Sequence, residues 1–228
     1  MKQRFVALIT LSLVLFPTAC LAVERTIEAD DSDTMPDLSG DGWVAIFNEK
    51  DTRGWIQRNG TATFRVHDGA IVGTTATGSV NSFFCTQQTY LDFELTFEVN
   101  VDAKLNSGVQ IRSQCRSEYK NGRVYGPQVE IEAAPGQSGY LYSEGTGRSW
   151  ISKVQPITDV MNNGQWNRFV VRARGDRLQT WINGEAICDL RDPESNAEGF
   201  IGLQVHQVPK GEGPYQVRWR DIRVRVLK

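Results

Sequence analysis

No segment of ten or more residues in this chain carries apolar residues at helical spacing, which excludes a helical bundle or a layered α/β fold. Cysteine is scarce as well. Of the four cysteines, Cys20 closes an N-terminal apolar run, which leaves Cys85, Cys115 and Cys188. Three thiols allow at most one disulfide, and no pair has the spacing of a metal site, so small buried hydrophobes are the simpler reading. Basic excess is missing too. Lys and Arg number 25 against 27 Asp and Glu, for a net charge of -2, and no nucleic-acid partner is expected. The one long apolar run, Phe5 to Phe16, is too short to span a bilayer.

That run is preceded by Lys2 and Arg4 and followed by Pro17 and small residues, the order of a secretory signal. Residues 1–22 are therefore expected to be a signal peptide cut after Ala22, with the protein exported to the periplasm or beyond. The rival reading makes Cys20 a lipid-modified N-terminus, and only then would a membrane be a partner. Residues 23–40, acidic and free of aromatics, read as a flexible leader. No second such stretch follows, so residues 41–228 form one domain large enough for a substantial core.

What fills that domain is a period of two. In "DFELTFEVNV", Phe93, Leu95, Phe97, Val99 and Val101 share one face, while Asp92, Glu94, Thr96, Glu98 and Asn100 share the other. Asp68-Gly69, Gly175-Asp176 and Asn183-Gly184 supply the positive φ of tight hairpins. The expectation is an all-β fold, a sandwich of two antiparallel sheets, with strands near 91–101, 108–114, 128–133, 166–173 and 200–206 at its centre. In "QVRWRDIRVRV" the apolar face flips between Arg220 and Ile222, as at a bulge. Its arginines read either as an anion-binding stripe or, more simply, as charges that discourage edge pairing. Trp43, Trp55 and Trp219 read as core.

Three strands depart from ordinary alternation. "VYGPQVEIEAAPGQSGYLY" sets Gln128, Glu130 and Glu132 on one face, with the two glutamates about 7 Å apart at Cα. Like charges that close raise each other's pKa. "NSGVQIRSQC" sets Gln110, Arg112 and Gln114 on one face, and "FIGLQVHQV" does so with Gln204 and His206. A wet sheet face explains each strand singly. On that reading Arg112 neutralises a glutamate and His206 is a surface histidine. Together, however, Gln, Arg, Glu and His are side chains that chelate, donate and titrate, which points to a cleft. Tyr140, Tyr142, Trp150 and Trp181 are aromatics on which sugar rings could stack. "EGTGRSW" has no strand-to-helix context for a phosphate loop and reads as the cleft rim, with Arg148 and Trp150 toward the ligand.

The segments "GWVAIFNEKDTRGW", "DFELTFEV", "NSGVQIRS", "YGPQVEIEAAPGQSGYLY", "GQWNRFVV", "TWINGEAI", "GFIGLQVHQV" and "VRWRDIRV" resemble, in that order, the 3-keto-disaccharide hydrolase family from about Gly42 to Leu227. The resemblance implies a concanavalin A-like jelly roll and a small carbohydrate substrate bearing a ketone at C3. Asn106, Ser107, Gly108 and Arg112 match one family strand, and Gln204 and His206 match another, though Gln207 stands where the family has glycine. The strand of Gln128, Glu130 and Glu132 is a variant of the family's commonest form.

A C3 ketone acidifies the proton on C2, so one base can remove it and expel the aglycone from C1, with water added afterwards. On this reading Glu130, Glu132 or His206 is the base and Arg112 stabilises the developing enolate. Gln110, Gln128 and Gln204 hold hydroxyls, and a divalent metal on Glu130, Glu132 and His206 is a chemically sensible cofactor. Three other readings stand beside it. One is a lectin-like carbohydrate-binding module, and another is an inert interaction domain. The third is a two-carboxylate glucanase, for which "EIEAAP" is a partial echo with Pro135 where a third acid would stand.

Overall fold

The computed structural model describes residues 32–228. The expected signal segment, Cys20 and residues 23–31 of the leader lie outside the described residues. Among the described residues fifteen strands run in the order β1 (Val44–Ala45), β2 (Trp55–Arg58), β3 (Thr63–His67), β4 (Ala70–Thr74), β5 (Ser82–Thr86), β6 (Phe93–Val101), β7 (Ser107–Cys115) and β8 (Val124–Ile131). They continue as β9 (Leu141–Glu144), β10 (Ser149–Trp150), β11 (Asn167–Arg174), β12 (Arg177–Ile182), β13 (Glu185–Arg191), β14 (Phe200–Val205) and β15 (Gln216–Val226). Among the described residues there is no helix.

The first sheet is ordered β13-β12-β11-β6-β15-β4-β3, with β1 beside β15; the second is ordered β10-β9-β8-β7-β14-β5-β2. Both are antiparallel, and their apolar faces meet in one core. Leu95, Phe97 and Trp219 of the first sheet and Val109, Ile131 and Leu203 of the second are fully buried there. The fold is thus the sandwich of two antiparallel sheets expected from the period of two, in the jelly-roll form that the resemblance implies. The five strands expected at the centre, now β6, β7, β8, β11 and β14, are interior in their sheets.

The three hairpin signals act as turns. Asp68-Gly69 joins β3 to β4, Gly175-Asp176 joins β11 to β12, and Asn183-Gly184 joins β12 to β13. Asp68, Gly69, Gly175, Asn183 and Gly184 all take the positive φ these turns require. In β15 the register against β6 shifts between Arg220 and Arg223 around Asp221 at φ 46°, which is the expected bulge. The edge-guarding role of its arginines fails, because β15 is covered by β6 on one side and by β4 and β1 on the other.

Two further expectations are corrected. Trp43 is not core: it lies half-buried on the outer face of the first sheet beneath the guanidinium groups of Arg223 and Arg225. Residues 34–40, taken as the end of the leader, belong to the compact unit that begins at Thr34. Arg172 donates to Thr34 O, Trp43 Nε1 donates to Asp37 O, and Pro36 is buried. Cys85, Cys115 and Cys188 are all free thiols. Burial pushes the Cys85 thiol far up, so it serves as a small hydrophobe beside Phe83, Val124 and Phe200.

Candidate active site

The outer face of the second sheet carries the polar residues. Register sets Gln110 of β7 opposite Gln128 of β8 and Gly202 of β14, and sets Gly108 of β7 opposite Glu130 and Gln204. Period two then turns Gln110, Gln128, Glu130 and Gln204 to the same side. All four are at least 94% shielded from solvent, with Glu130 6% exposed and Gln110 and Gln204 at 0%.

Buried amides must be paired, and here they form a chain. Ser113 Oγ donates to Gln110 Oε1 at 2.7 Å. Gln110 Nε2 donates to Gln128 Oε1 at 2.5 Å, and Gln204 Nε2 donates to the same oxygen at 2.8 Å. Gln128 Nε2 is therefore committed to Glu130 Oε2, at 2.9 Å, and Asn106 Nδ2 donates to Glu130 Oε1. One acceptor is left over: Gln204 Oε1 is buried without a partner.

Burial pushes the Glu130 carboxyl up to about 7, against the two amide hydrogen bonds that favour its charge, and the nearby Glu132 and Glu144 carboxylates push the same way. Each carboxylate oxygen has a second lone pair beyond the one an amide takes, so Glu130 remains able to accept a proton.

Above Glu130 lies a cavity of about 280 Å³ bounded by Asn106, Gln128, Tyr142, Trp150, Gln204 and His206. Arg123 and Glu144 close one side of it, paired at 3.0 Å. Trp150 meets Tyr142 edge to face, with ring centroids 5.5 Å apart, and presents an aromatic wall. His206 follows the end of β14, and its Nδ1 lies 2.7 Å from Gln207 O. If Nδ1 carries the proton, the other ring nitrogen is an acceptor.

Six of the nine residues singled out in the sequence thus come together: Gln110, Gln128, Glu130, Trp150, Gln204 and His206. Three do not. Arg112 sits in the bulge between Gln110 and Gln114 at φ 46°, which swings its side chain away from Gln110. It reaches the loop before β6 and the β11–β12 turn, where it donates to Leu91 O, Gly175 O and Asp92 Oδ1. Glu132 lies one residue past the end of β8, so the alternation no longer applies. Its carboxylate accepts the backbone N–H of Gln137 and caps its own loop. Arg148 leaves the rim to pair with Asp192 at 2.6 Å.

The metal set that Glu130, Glu132 and His206 could have formed does not assemble, because Glu132 turns into its own loop. Among the described residues no three His, Cys, Asp or Glu side chains are placed to hold a metal. Of the aromatics, Tyr142 and Trp150 line the cavity, whereas Trp181 faces Arg172 on the first sheet and Tyr140 is buried away from the cleft.

Sequence reasoning passed over Glu144, Arg123 and the role of Asn106. Glu144 was legible, since Tyr142 and Glu144 alternate on β9 beside β8. Arg123 lies in a turn-rich loop with no periodic signal.

Gly108 explains itself through Gln128. A Cβ at position 108 would stand 2.5 Å from Gln128 Cδ. Gly108→Ala is therefore expected to fold, at a cost of about 1–3 kcal/mol, while displacing Gln128 from Glu130. Turnover per folded molecule should fall at least about tenfold, the scale of one lost charge-assisted hydrogen bond. Thermal melts and turnover on the same sample check this.

A family model described as "3-keto-alpha-glucoside-1,2-lyase-like domain" matches residues 42–225. No curated protein sequence matches the chain. Among solved structures, a candidate glycosyl hydrolase from Parabacteroides distasonis aligns with a TM-score of 0.59 at 21% identity, covering 82% of this chain and 94% of its own. The carbohydrate-binding module CBM66 from Bacillus subtilis aligns with a TM-score of 0.54 at 17% identity, covering 75% and 95%. A prokaryotic β-1,3-1,4-glucanase from a mouse hindgut metagenome aligns with a TM-score of 0.55 at 9% identity, covering 75% and 92%. At these identities the likeness shows the fold alone.

Proposed function

Because the chain belongs to the 3-keto-alpha-glucoside-1,2-lyase-like domain family, we propose that it cleaves 3-keto-glycosides by elimination across C1–C2, with Glu130 as the base. The observation that carries this reading is Glu130 itself, a buried carboxylate raised to about 7 at the floor of a cavity bearing an aromatic wall. A base tuned to the working pH balances basicity against the fraction ionised. Glu130 takes the C2 proton, and the C–H electron pair forms an enolate on the C3 oxygen. The enolate collapses to a C1–C2 double bond and expels the aglycone oxygen from C1. Water adds later to give the free 3-keto sugar.

Arg123 is the cation that borders the cavity, and it takes the enolate-stabilising role expected of Arg112. Gln204 Oε1, the orphaned acceptor, is suited to a substrate hydroxyl. We also infer export, from Lys2, Arg4 and the apolar run that follows. Mass spectrometry should find an N-terminus at Val23, and a lipid on Cys20 would place the protein on a membrane instead.

A second reading rests on Glu144. A carboxyl raised toward neutrality next to a carboxylate paired with arginine is also the arrangement of an acid and a nucleophile in ordinary glycoside hydrolysis. Matched native and 3-keto glycosides decide between them. Release from the 3-keto form alone supports elimination, and equal release from both supports two-carboxylate hydrolysis. Binding without release from either would make the protein a carbohydrate-binding module.

A further inference from the structure

We propose a second binding site on the opposite face of the sandwich, a groove between Arg65 and Arg218 that takes an acidic saccharide chain. The groove is about 550 Å³ and is bordered by Arg65, His67, Val72, Trp166, Gln216 and Arg218, which places it on the outer face of the first sheet. Register puts Arg65 of β3 opposite Val72 of β4, and Val72 opposite Arg218 of β15. The two arginines thus flank a small buried floor residue, about 10 Å apart at Cα by two strand spacings. Arms of that length can meet over one anionic group.

The pairing of charges on this face is selective. Arg220 is bound to Glu98 at 2.6 Å, and Arg168 to Glu98 and Asp221. Arg218, by contrast, has among the described residues the neutral Gln216 Oε1, at 2.6 Å, and no carboxylate. Arg65, exposed on the edge strand, has no carboxylate partner among the described residues. The one acid at the groove, Asp68, lies at the hairpin tip against His67, at 3.2 Å. Two arginines with no carboxylate partner among the described residues, one on each side of the groove, suit an anionic group.

The rest of the lining argues for a sugar rather than a bare ion. Trp166 is half-buried at the groove with Arg220 over one face of its ring at 4.1 Å, and the apolar ring surface that this guanidinium leaves uncovered suits the C–H groups of a pyranose. Gln216 offers an amide to its hydroxyls. A nucleic acid is disfavoured by the net charge of -2, which would repel a polyphosphate beyond the groove itself.

The test is calorimetric titration of the full chain with hexagalacturonate, with neutral maltohexaose, and with a short single-stranded DNA. Hexagalacturonate is expected to bind, and the neutral hexamer to bind at least tenfold more weakly. Arg65→Ala/Arg218→Ala should lower hexagalacturonate affinity about tenfold per arginine, the scale of a charge-assisted hydrogen bond. Arg65→Glu alone, at an exposed edge position, keeps the test available if the double variant does not fold. Turnover of a 3-keto-glycoside by the arginine variants should match wild type, which separates this site from the cleft and from the elimination reading. Undiminished binding by the arginine variants overturns the proposal. So does equal affinity for the neutral hexamer or the DNA, or no binding of hexagalacturonate.

Discussion

Glu130→Gln is expected to lower the rate of 3-keto-glycoside cleavage by about 10²–10⁴-fold, the range for loss of a positioned general base. The substitution keeps volume and shape but removes the proton acceptor. It also creates a local conflict, because both Glu130 oxygens accept amide N–H groups and glutamine has only one oxygen. Gln128 cannot turn over without breaking its bonds from Gln110 and Gln204. Asn106 can, and its oxygen would then accept from the new amide. The variant should therefore fold with the cleft intact.

The same residue predicts two pH dependences of known sign. As a base, Glu130 must be ionised, so cleavage should rise with pH and reach half its plateau near 7. A general acid at that position would give the opposite limb, with activity falling above 7. Stability moves against activity. The folded-state value of about 7 lies above the ordinary 4.5, so the native state holds the proton more tightly than the unfolded chain. The resulting stabilisation is complete below about 4.5 and is lost as pH rises through about 7. Glu130→Gln has no such loss, so its stability relative to wild type should rise by about 2–3 kcal/mol between pH 5 and pH 8. Denaturant titrations at pH 5 and pH 8 measure the difference. A variant with wild-type turnover would remove Glu130 from the reaction.

This tension between stability and chemistry fits the way the site is built. Gln110, Gln128, Glu130 and Gln204 were legible in the sequence because strict alternation on interior strands leaves a long polar side chain only one place to go. The fold was legible for the same reason, since each apolar face implied the core and the Asp-Gly and Asn-Gly pairs implied the turns. Alternation fails where the strand does. Glu132 keeps the spacing of Glu130, but β8 ends at Ile131, and one residue of loop is enough to send its carboxylate to Gln137. The β15 arginines misled differently, because composition suggested an edge and the sheet order depends on pairings distant in sequence. Arg123 and Asn106 enter the cleft from loops, where no period marks a direction.

Arg112 is the sharpest case, and its substitution separates a structural role from a catalytic one. Its positive φ belongs to the bulge in β7, an irregularity that leaves no trace in the apolar pattern of a nine-residue strand. The guanidinium, 4% exposed, binds Asp92 Oδ1 at 2.7 Å and Gly175 O at 2.5 Å, and it also takes up Leu91 O. It ties an end of the second sheet to the start of β6 and the β11–β12 turn in the first. Arg112→Ala leaves two carbonyls without this donor and a partly buried carboxylate with the Gly175 backbone N–H but no cation, and should cost about 3 kcal/mol. Lysine should recover only part of that loss, since a single ammonium cannot reproduce three donors in a planar fork. Cleavage per folded molecule should stay within about threefold of wild type, because the charge never faces the cavity. Denaturant unfolding and single-turnover rates on the same preparation test both halves. Unchanged stability with a rate loss of a hundredfold or more would return Arg112 to the enolate and take that role from Arg123.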